Sequence, residues 1–372
     1  MSDRDALLAA ITAEPDEDTP RLMFADWLQE NGEADRGEFV RLQVEAGAAE
    51  PFSPQAREYE AAAQKLLTRH EIAWTAHISE RVTGCRFARG FVEHVAVNAA
   101  TAARDFAALF AAEPIRSLLV ERFTYTTPPA PVGALFNLPQ MARVERLDFS
   151  QLGLPADYFD TFAAAHARFG RLTDISLRNS PVPVAWLGKL LAGPELPALA
   201  GLDLADVSHL ARVLAAEMPG ASHRRFARLD LSYIASFNSD WMQKVLGSRC
   251  LREVEELRLA WRGASGAGPL SHVNPGWTIQ WDHLRLLDLD GQGVGNEGVS
   301  DMVKELCRRP VLAPLRWLGL ANNSLSADAV RALVKSDDSR LNLYHLDVRG
   351  NGLTAAHRAA LAARFPDALI QS

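Results

Sequence analysis

A short apolar pattern that recurs along the chain constrains its fold more than any other feature. The pattern is apolar-x-x-apolar-x-apolar, and it occurs nine times between Ile115 and Val348. Successive middle positions are separated by 27 to 31 residues. These middle positions are Leu118, Leu147, Ile175, Leu202, Leu229, Leu257, Leu287, Leu318 and Leu346. A period of this length indicates stacked supersecondary units that share one continuous core.

Each apolar triplet predicts a short strand whose alternate residues point inward. Most of the connecting segments show helical patterning, for example 155–169, 296–307 and 326–335. Alternating strands and helices predict βα units with a parallel sheet. Because helices are wider than strands, stacking them on one side curves the array and places the strands on the concave face. A weaker copy of the triplet, Val92 to Val97, predicts a cap strand before the first full repeat.

The last two full repeats carry a longer motif, in which the triplet is followed by an asparagine and a leucine. They read Leu315…Leu318…Leu320…Asn323…Leu325 and Leu343…Leu346…Val348…Asn351…Leu353. Over roughly residues 85–372 the chain therefore resembles leucine-rich-repeat proteins, in particular the ribonuclease-inhibitor-like subclass. The resemblance implies that Asn323 and Asn351 bond to loop backbone, with Gln292 in the same position one repeat earlier. We expect less regular turns in the earlier repeats, which carry Phe123, Leu152, Ser180, Val207, Ile234 and Arg262 there.

The N-terminal segment predicts helices over 3–14, from Thr19 to Asn31, and from Asp35 to Glu45, with a longer helix over 55–79 after Pro51 and Pro54. The string from Arg21 to Gln43, which includes Ala-Asp-Trp-Leu and Arg-Gly-Glu-Phe-Val-Arg-Leu-Gln, resembles the repeat-companion domain of bacterial repeat proteins. The following string Arg86 to Val92 resembles the junction at which such proteins enter their repeats. The resemblance carries no assigned activity.

Together these patterns predict an α/β fold: a curved leucine-rich-repeat solenoid with a small N-terminal all-α module. The expected domains are a helical repeat-companion module at 1–50, a connecting helix at 51–84, and a solenoid of about nine repeats plus a cap strand at 85–372. The Gly- and Pro-rich segment 262–277 cannot form a regular helix and predicts a long loop.

Composition excludes several classes of protein. Hydrophobic residues make up 48% and charged residues 23%, and the mean hydropathy is -0.07, which is typical of soluble globular chains. No apolar run reaches the length of a membrane span, and the acidic start does not resemble a secretory signal. The three cysteines are widely separated and predict a reducing compartment. We therefore expect a cytoplasmic bacterial protein, monomeric and without a membrane partner.

The net charge of -7 is unevenly placed. The first fifty residues hold four Lys or Arg against thirteen Asp or Glu, so the remainder is slightly basic, at +2. A chain-wide basic field for nucleic acid is absent, and no nucleic-acid partner is expected. The acidic module either forms an ordinary solvated helical surface or meets a basic partner.

One string imitates a nucleotide-binding loop. Residues 293–298 read Gly-Val-Gly-Asn-Glu-Gly, a literal G-x-G-x-x-G between a strand and a helix. The string falls in register with the repeat turn, and the next strand, 316–320, lacks a terminal acid that would hold a ribose. Turn glycines are the better account. Since no other catalytic or metal-binding motif is present, we expect no enzyme, no cofactor and no metal site.

Strand residues between the apolar positions face the predicted concave side, and there they form an acidic column. Asp203 and Asp230 stand side by side on neighbouring strands about 4.8 Å apart and need a cation, which Arg228 and Arg258 are placed to supply. Exposed aromatic residues accompany them and are typical of binding hot spots. The predicted partner-binding set is Asp148, Asp203, Arg228, Asp230, Tyr233, Arg258, Trp261, Asp288, Trp317, Tyr344 and Asp347.

These observations predict a non-enzymatic scaffold that binds a protein partner, expected to have a basic surface, through the concave face. The first alternative is a regulator of a partner enzyme, either an inhibitor or a GTPase-activator-like protein. The second is an enzyme that uses the glycine turn at 293–298. A regulator would change the activity of its partner, whereas a scaffold would not. An enzyme that uses the glycine turn would show a melting temperature that shifts when a nucleotide is added.

Overall fold

The computed structural model describes residues 2–121, 134–150, 156–192, 196–207, 210–220, 224–234, 237–262, 268–271, 283–308, 315–336 and 341–372. The chain divides into two compact units, Met1–Leu172 and Thr173–Ser372. The boundaries predicted at residues 50 and 84 both fall inside the first unit. Most of the segment predicted as a long loop, 262–277, lies outside the described residues.

The first unit begins with four helices: α1 (Asp3–Ala13), α2 (Thr19–Glu30), α3 (Ala34–Ala48) and α4 (Pro54–Thr75). Their starts follow from local chemistry. The Ser2 hydroxyl accepts a hydrogen bond from the Asp5 amide, and the Asp5 carboxylate accepts one from the Ser2 amide. Pro20 occupies the first turn of α2, and Ser53 caps α4. The four predicted helices are confirmed, although α3 runs three residues further and α4 ends before residue 79.

The helices pack around a common apolar cluster. Ile11, Phe24, Leu28 and Val40 are almost fully buried in it, and each buried side chain of this kind contributes about 2 kcal/mol. Helices α2 and α3 approach closely at Gly37, where an added Cβ would lie 2.6 Å from the carbonyl oxygen of Ala25. Phe91, from the first strands, belongs to the same cluster. The helical module and the first strands therefore share one core.

The strands of the first unit are β1 (Gly84–Ala88), β2 (Phe91–Asn98), β3 (Ser117–Glu121) and β4 (Arg146–Asp148). Strands β1 and β2 form an antiparallel hairpin, whose turn places Arg89 and Gly90 at positive φ. Strands β2, β3 and β4 are parallel neighbours, with α5 (Ala99–Ala112) between β2 and β3 and α6 (Ala156–Ala164) after β4. The predicted cap strand is thus β2, whereas β1 was not predicted.

The described part of the second unit contains eight parallel strands, each paired with the next in chain order. They are β5 (Asp174–Ser176), β6 (Gly201–Asp203), β7 (Arg228–Asp230), β8 (Glu256–Arg258), β9 (Leu286–Asp288), β10 (Leu315–Gly319), β11 (Leu341–Asp347) and β12 (Leu369–Gln371). Its helices include α7 (Val184–Ala192), α8 (Ala211–Glu217), α9 (Ser239–Leu246), α10 (Gly295–Arg308), α11 (Ala327–Lys335) and α12 (Ala355–Arg364). The middle apolar residues of the repeats lie in register and are at most 3% exposed.

Buried amides fix the turns at the end of the second unit. Asn323 donates to the carbonyl oxygens of Leu289 and Ala321, and its own oxygen accepts from the Val294 amide. Asn351 makes the equivalent bonds one repeat later. One repeat earlier, the side-chain amide of Gln292 donates to the carbonyl oxygen of Leu259. The expected role of these side chains is confirmed. Parallel strands alternating with helices in repeat register form an α/β leucine-rich-repeat solenoid, the predicted fold class.

Within the described ranges, no helix combines the length and the apolar character that a bilayer span requires.

Candidate functional site

Two columns of side chains run across the face of the sheet in the second unit that is opposite the buried middle residues of its repeats. We call this face the strand surface. The first column consists of Asp174, Gly201, Arg228, Glu256, Leu286, Trp317 and His345. The second consists of Ser176, Asp203, Asp230, Arg258, Asp288, Gly319 and Asp347. Seven of the predicted site residues stand in these two columns.

The aspartates of the second column share a local bond that sequence reasoning missed. In each, Oδ1 accepts a hydrogen bond from the backbone amide two residues further on. The distances are 2.9 Å for Asp203, 2.9 Å for Asp230, 3.1 Å for Asp288 and 3.0 Å for Asp347. Asp148 of the first unit makes the same bond, at 2.8 Å. The recurrence of aspartate at the strand end was the available signal, because its side chain favours such turns.

Two of these carboxylates are also buried. Asp347 is only 2% exposed and Asp230 only 9%, so both lie within the strand ends and not on an open surface. Arg349 pairs with Asp347 at 2.5 Å. Asp203 remains half-buried. In the second column the aspartates therefore stabilise the turns, and arginines of the same chain neutralise part of their charge.

The cation that joins Asp203 and Asp230 is Arg178. Its Nε lies 3.1 Å from Asp203 Oδ2 and its Nη2 lies 2.8 Å from Asp230 Oδ2. Burial and the neighbouring Asp230 carboxylate raise the pKa of Asp203 above its ordinary value, which shows that the arginine only partly offsets the crowding. The expectation that Arg228 and Arg258 supply this charge is wrong, since Arg178 extends from the turn after β5 and reaches both strands.

Arg228 and Arg258 have other partners. The Arg228 guanidinium forms two hydrogen bonds with Asp174, at 2.8 and 2.9 Å. Arg258 lies 5.7 Å from the centre of the Trp317 ring and 3.8 Å from Glu256. No sequence pattern marked Asp174 or Arg178, because each reaches its partner across one or two strands.

A second acidic group lies at the C-terminal ends of β9 and β10. Asp290 accepts a hydrogen bond from the Ala321 amide at 2.8 Å. Burial, followed by the charge of Asp288, raises the pKa of Asp290 to about 7. Gly319 leaves room between these carboxylates, since a Cβ there would lie 2.8 Å from an oxygen of each. Part of the acidic character is thus neutralised by protonation near neutral pH.

Three of the four predicted aromatic residues pair with cationic or aromatic neighbours. Trp317 stacks on His345 with ring centres 5.0 Å apart and planes 7° from parallel. The guanidinium of Arg316 lies 4.6 Å from the ring centre of Tyr344.

Beyond the ends of β7 and β8, Arg262 lies 4.1 Å from the ring centre of Tyr233. Trp261 is half-buried, and its indole Nε1 is shielded from solvent and has no hydrogen-bond partner among the described residues. The four aromatic residues are therefore half-buried and not fully exposed.

The glycine-rich string forms a repeat turn. Gly293 and Gly295 have positive φ, as turn glycines do. At the start of α10 the amides of Val294 and Gly295 donate to Asn323, at 3.0 and 3.3 Å. Two of the amides that a phosphate would need are thus already bonded. Within the described ranges, no cluster of His, Cys, Asp or Glu could hold a metal ion.

Comparisons with known proteins give structural likeness alone. No model of a protein family matches the chain, and no curated protein matches it. Among solved structures, the TLR13–ssRNA13 complex is similar over 70% of this chain and 35% of the other, at 15% identity and a TM-score of 0.36. A leucine-rich-repeat protein of Leptospira interrogans is similar over 70% and 72%, at 13% identity and a TM-score of 0.32. This chain thus spans about a third of the length of the TLR13 chain.

Proposed function

We propose that the chain is a non-enzymatic scaffold for protein interaction, acting in the bacterial cytoplasm, and that the strand surface contacts the partner. The observation that carries the proposal is the group formed by Trp317, His345 and Arg258. The indole and imidazole rings are stacked in the first column, and the guanidinium lies near the indole. Tryptophan and arginine are the residues most enriched in binding hot spots.

Charge indicates the chemistry of the partner. The two columns and the strand ends two residues beyond them hold seven acids against four arginines. The acids are Asp174, Asp203, Asp230, Glu256, Asp288, Asp290 and Asp347, and the arginines are Arg178, Arg228, Arg258 and Arg349. The excess of acids is small, since several pairs neutralise each other. We therefore expect a partner with a basic patch that complements the half-exposed carboxylates.

The surface is organised before a partner arrives. Parallel strands hold both columns in register, and the ion pairs of Arg178 and Arg228 fix side chains that would otherwise be free to rotate. Binding to such a surface orders few additional groups, so less conformational entropy is lost. This favours a rigid recognition platform over a catalytic centre, which needs convergent acid, base or nucleophilic groups.

The test is affinity capture from native lysate with quantitative mass spectrometry. The strand-surface variant carries Trp317→Ala and Arg258→Ala, two members of the group that carries the proposal. The matched control carries Lys304→Ala and Arg331→Ala, which lie on helices of the same unit with side chains 61% and 63% exposed. Circular dichroism must first show that both variants fold. A protein captured by the wild type and the control but lost by the strand-surface variant supports the proposal.

The captured protein is then purified and its affinity for each variant is measured by calorimetry. Equal affinity for the wild type and the strand-surface variant contradicts the proposed surface. If the partner is an enzyme, its activity with and without a stoichiometric amount of this chain separates a scaffold from an inhibitor or activator.

A further inference from the structure

The first unit has a cavity of about 600 Å³, partly open to solvent, that the proposed scaffold function does not use. Helix α1 forms one wall, with Leu8, Ala9 and Ala13. Ile115, at the start of the first repeat, contributes a further apolar surface. The volume falls in the range of ordinary small-molecule sites, which are about 300–1,000 Å³ and mostly apolar with a few polar groups.

Three arginines also line this cavity: Arg116, Arg143 and Arg171. Two of them are neutralised by the chain. One carboxylate oxygen of Asp16 lies 2.5 Å from the Arg116 guanidinium, and the other lies 2.9 Å from the Arg171 guanidinium. Glu145 lies 2.6 Å from Arg116 and 3.4 Å from Arg171. Both guanidinium groups therefore have carboxylate partners in place.

Arg143 differs from its two neighbours. Its Nη1 donates to the carbonyl oxygen of Phe110 at 3.0 Å, and its guanidinium lies 5.3 Å from the Phe110 ring centre. Among the described residues no carboxylate pairs with it. Burial, followed by the nearby charge of Arg171, lowers the pKa of Arg143. A half-buried positive charge that has a like charge nearby and no carboxylate partner destabilises the folded chain. An anion bound in the cavity would offset that destabilisation.

We propose that this cavity binds a small organic anion, whose carboxylate pairs with Arg143 and whose apolar body lies against Leu8, Ala9 and Ala13. The planar guanidinium presents N–H groups in a fork that matches a carboxylate. Asp5 also lines the cavity, and its charge disfavours a second negative group on the ligand. The site therefore suits a monoanion with an apolar chain better than a phosphate dianion.

The test is calorimetry of the full chain with four probes: octanoate, octan-1-ol, octylamine and acetate. Octanoate combines the carboxylate with an apolar chain, and each of the others lacks one of these features or reverses the charge. We expect saturable octanoate binding, with octan-1-ol, octylamine and acetate each at least about tenfold weaker. Octan-1-ol binding as tightly as octanoate would show that Arg143 recognises no anion and would overturn the proposal.

Two variants assign the site. Arg143→Gln removes the cation and should weaken octanoate at least about tenfold while leaving octan-1-ol unchanged. Ala9→Trp fills the cavity from an exposed position on α1 and should abolish binding of both. The control is Arg104→Gln, on α5 with a side chain 76% exposed, and it should bind as the wild type does.

The proposal is wrong if octanoate shows no saturable binding to the wild type, or if Ala9→Trp retains it. Should Arg143→Gln fail to fold, the probe series and Ala9→Trp still decide the question. A partner captured through the strand surface has no bearing on this site, so the two proposals stand or fall separately.

Discussion

Arg228 and Asp174 form a two-point ion pair although a whole strand lies between them. Nε and Nη2 of Arg228 lie 2.8 and 2.9 Å from the two carboxylate oxygens of Asp174. The residue in register between them is Gly201. Because Gly201 has no side chain, the arginine can cross its strand, and a Cβ there would lie 2.0 Å from Asp174 Oδ1. The glycine therefore makes room for the pair.

The substitution Gly201→Ala should break this pair. The new methyl group must displace the Asp174 carboxylate, and we expect the free energy of unfolding to fall by about 1 kcal/mol, as for a partly exposed ion pair. Urea unfolding provides the measurement. The control is Gly188→Ala in α7, where the nearest atom to an added Cβ is 4.0 Å away, so that it should stabilise by about 1 kcal/mol.

A double-mutant comparison isolates the cause. In an Asp174→Ala background the methyl group at position 201 meets no carboxylate, so Gly201→Ala should no longer destabilise the chain. An equal loss in both backgrounds would show that the methyl group acts on the strand itself and not on the ion pair.

The sequence predicts the fold well because each repeat must bury an apolar triplet at a fixed spacing. That rule placed Leu202, Leu229 and Leu257 on neighbouring strands, and with them the acidic column. It could not predict Arg178, because the choice of partner depends on how far a long side chain reaches across the sheet. Strands β1 and β12 also escaped prediction, since each pairs at an edge of the repeat array without a complete apolar triplet.

The buried Asn323 should contribute more to the free energy of unfolding than any surface residue of the second unit. It is fully buried and bonds Leu289, Ala321 and Val294. Asn323→Ala leaves two carbonyl groups and one amide without this partner, so we expect the free energy of unfolding to fall by about 3 kcal/mol. Urea unfolding at pH 7 measures the loss.

The matched control for this prediction is Asn296→Ala. Its side chain bonds the hydroxyl and amide of Ser326, but both bonds are exposed, and the cost should stay within about 0.5 kcal/mol. If the two variants lose similar amounts, burial of the Asn323 amide is not what stabilises the repeat turn.

Asp290 should make the second unit less stable as pH rises. Its pKa is about 7 in the folded chain against an ordinary 3.8, so between these values the folded chain holds a proton that the unfolded chain releases. The free energy of unfolding therefore decreases from about pH 4 to pH 7. Asp290→Asn keeps an oxygen that can accept from the Ala321 amide and removes the charge.

We expect Asp290→Asn to match the wild type at pH 4 and to exceed it by about 1–3 kcal/mol at pH 8. Urea unfolding across that range gives the difference. The control is Asp301→Asn on α10, whose side chain is 40% exposed, and it should follow the wild type. A constant offset at every pH would mean that the charge of Asp290 is not responsible.

His94 should act with the opposite sign in the first unit. Burial, followed by the charges of Arg86, Arg146 and Arg116, lowers its pKa from 6.5 to about 4. Its Nδ1 is buried and accepts no hydrogen bond from the described residues, so the neutral ring is the form that the folded chain tolerates. Below pH 6.5 the unfolded chain binds a proton that the folded chain refuses, and the free energy of unfolding falls as pH drops towards 4.

The substitution His94→Gln removes this titration while keeping a neutral polar side chain of similar length. Between pH 7 and pH 4 we expect the free energy of unfolding of the variant to fall by about 1–3 kcal/mol less than that of the wild type, as measured by urea unfolding. His166→Gln, at an exposed position of the same unit, should lose as much as the wild type. Parallel losses for His94→Gln and the wild type would mean that His94 is already free to protonate in the folded chain, and that the three surrounding arginines do not govern its charge.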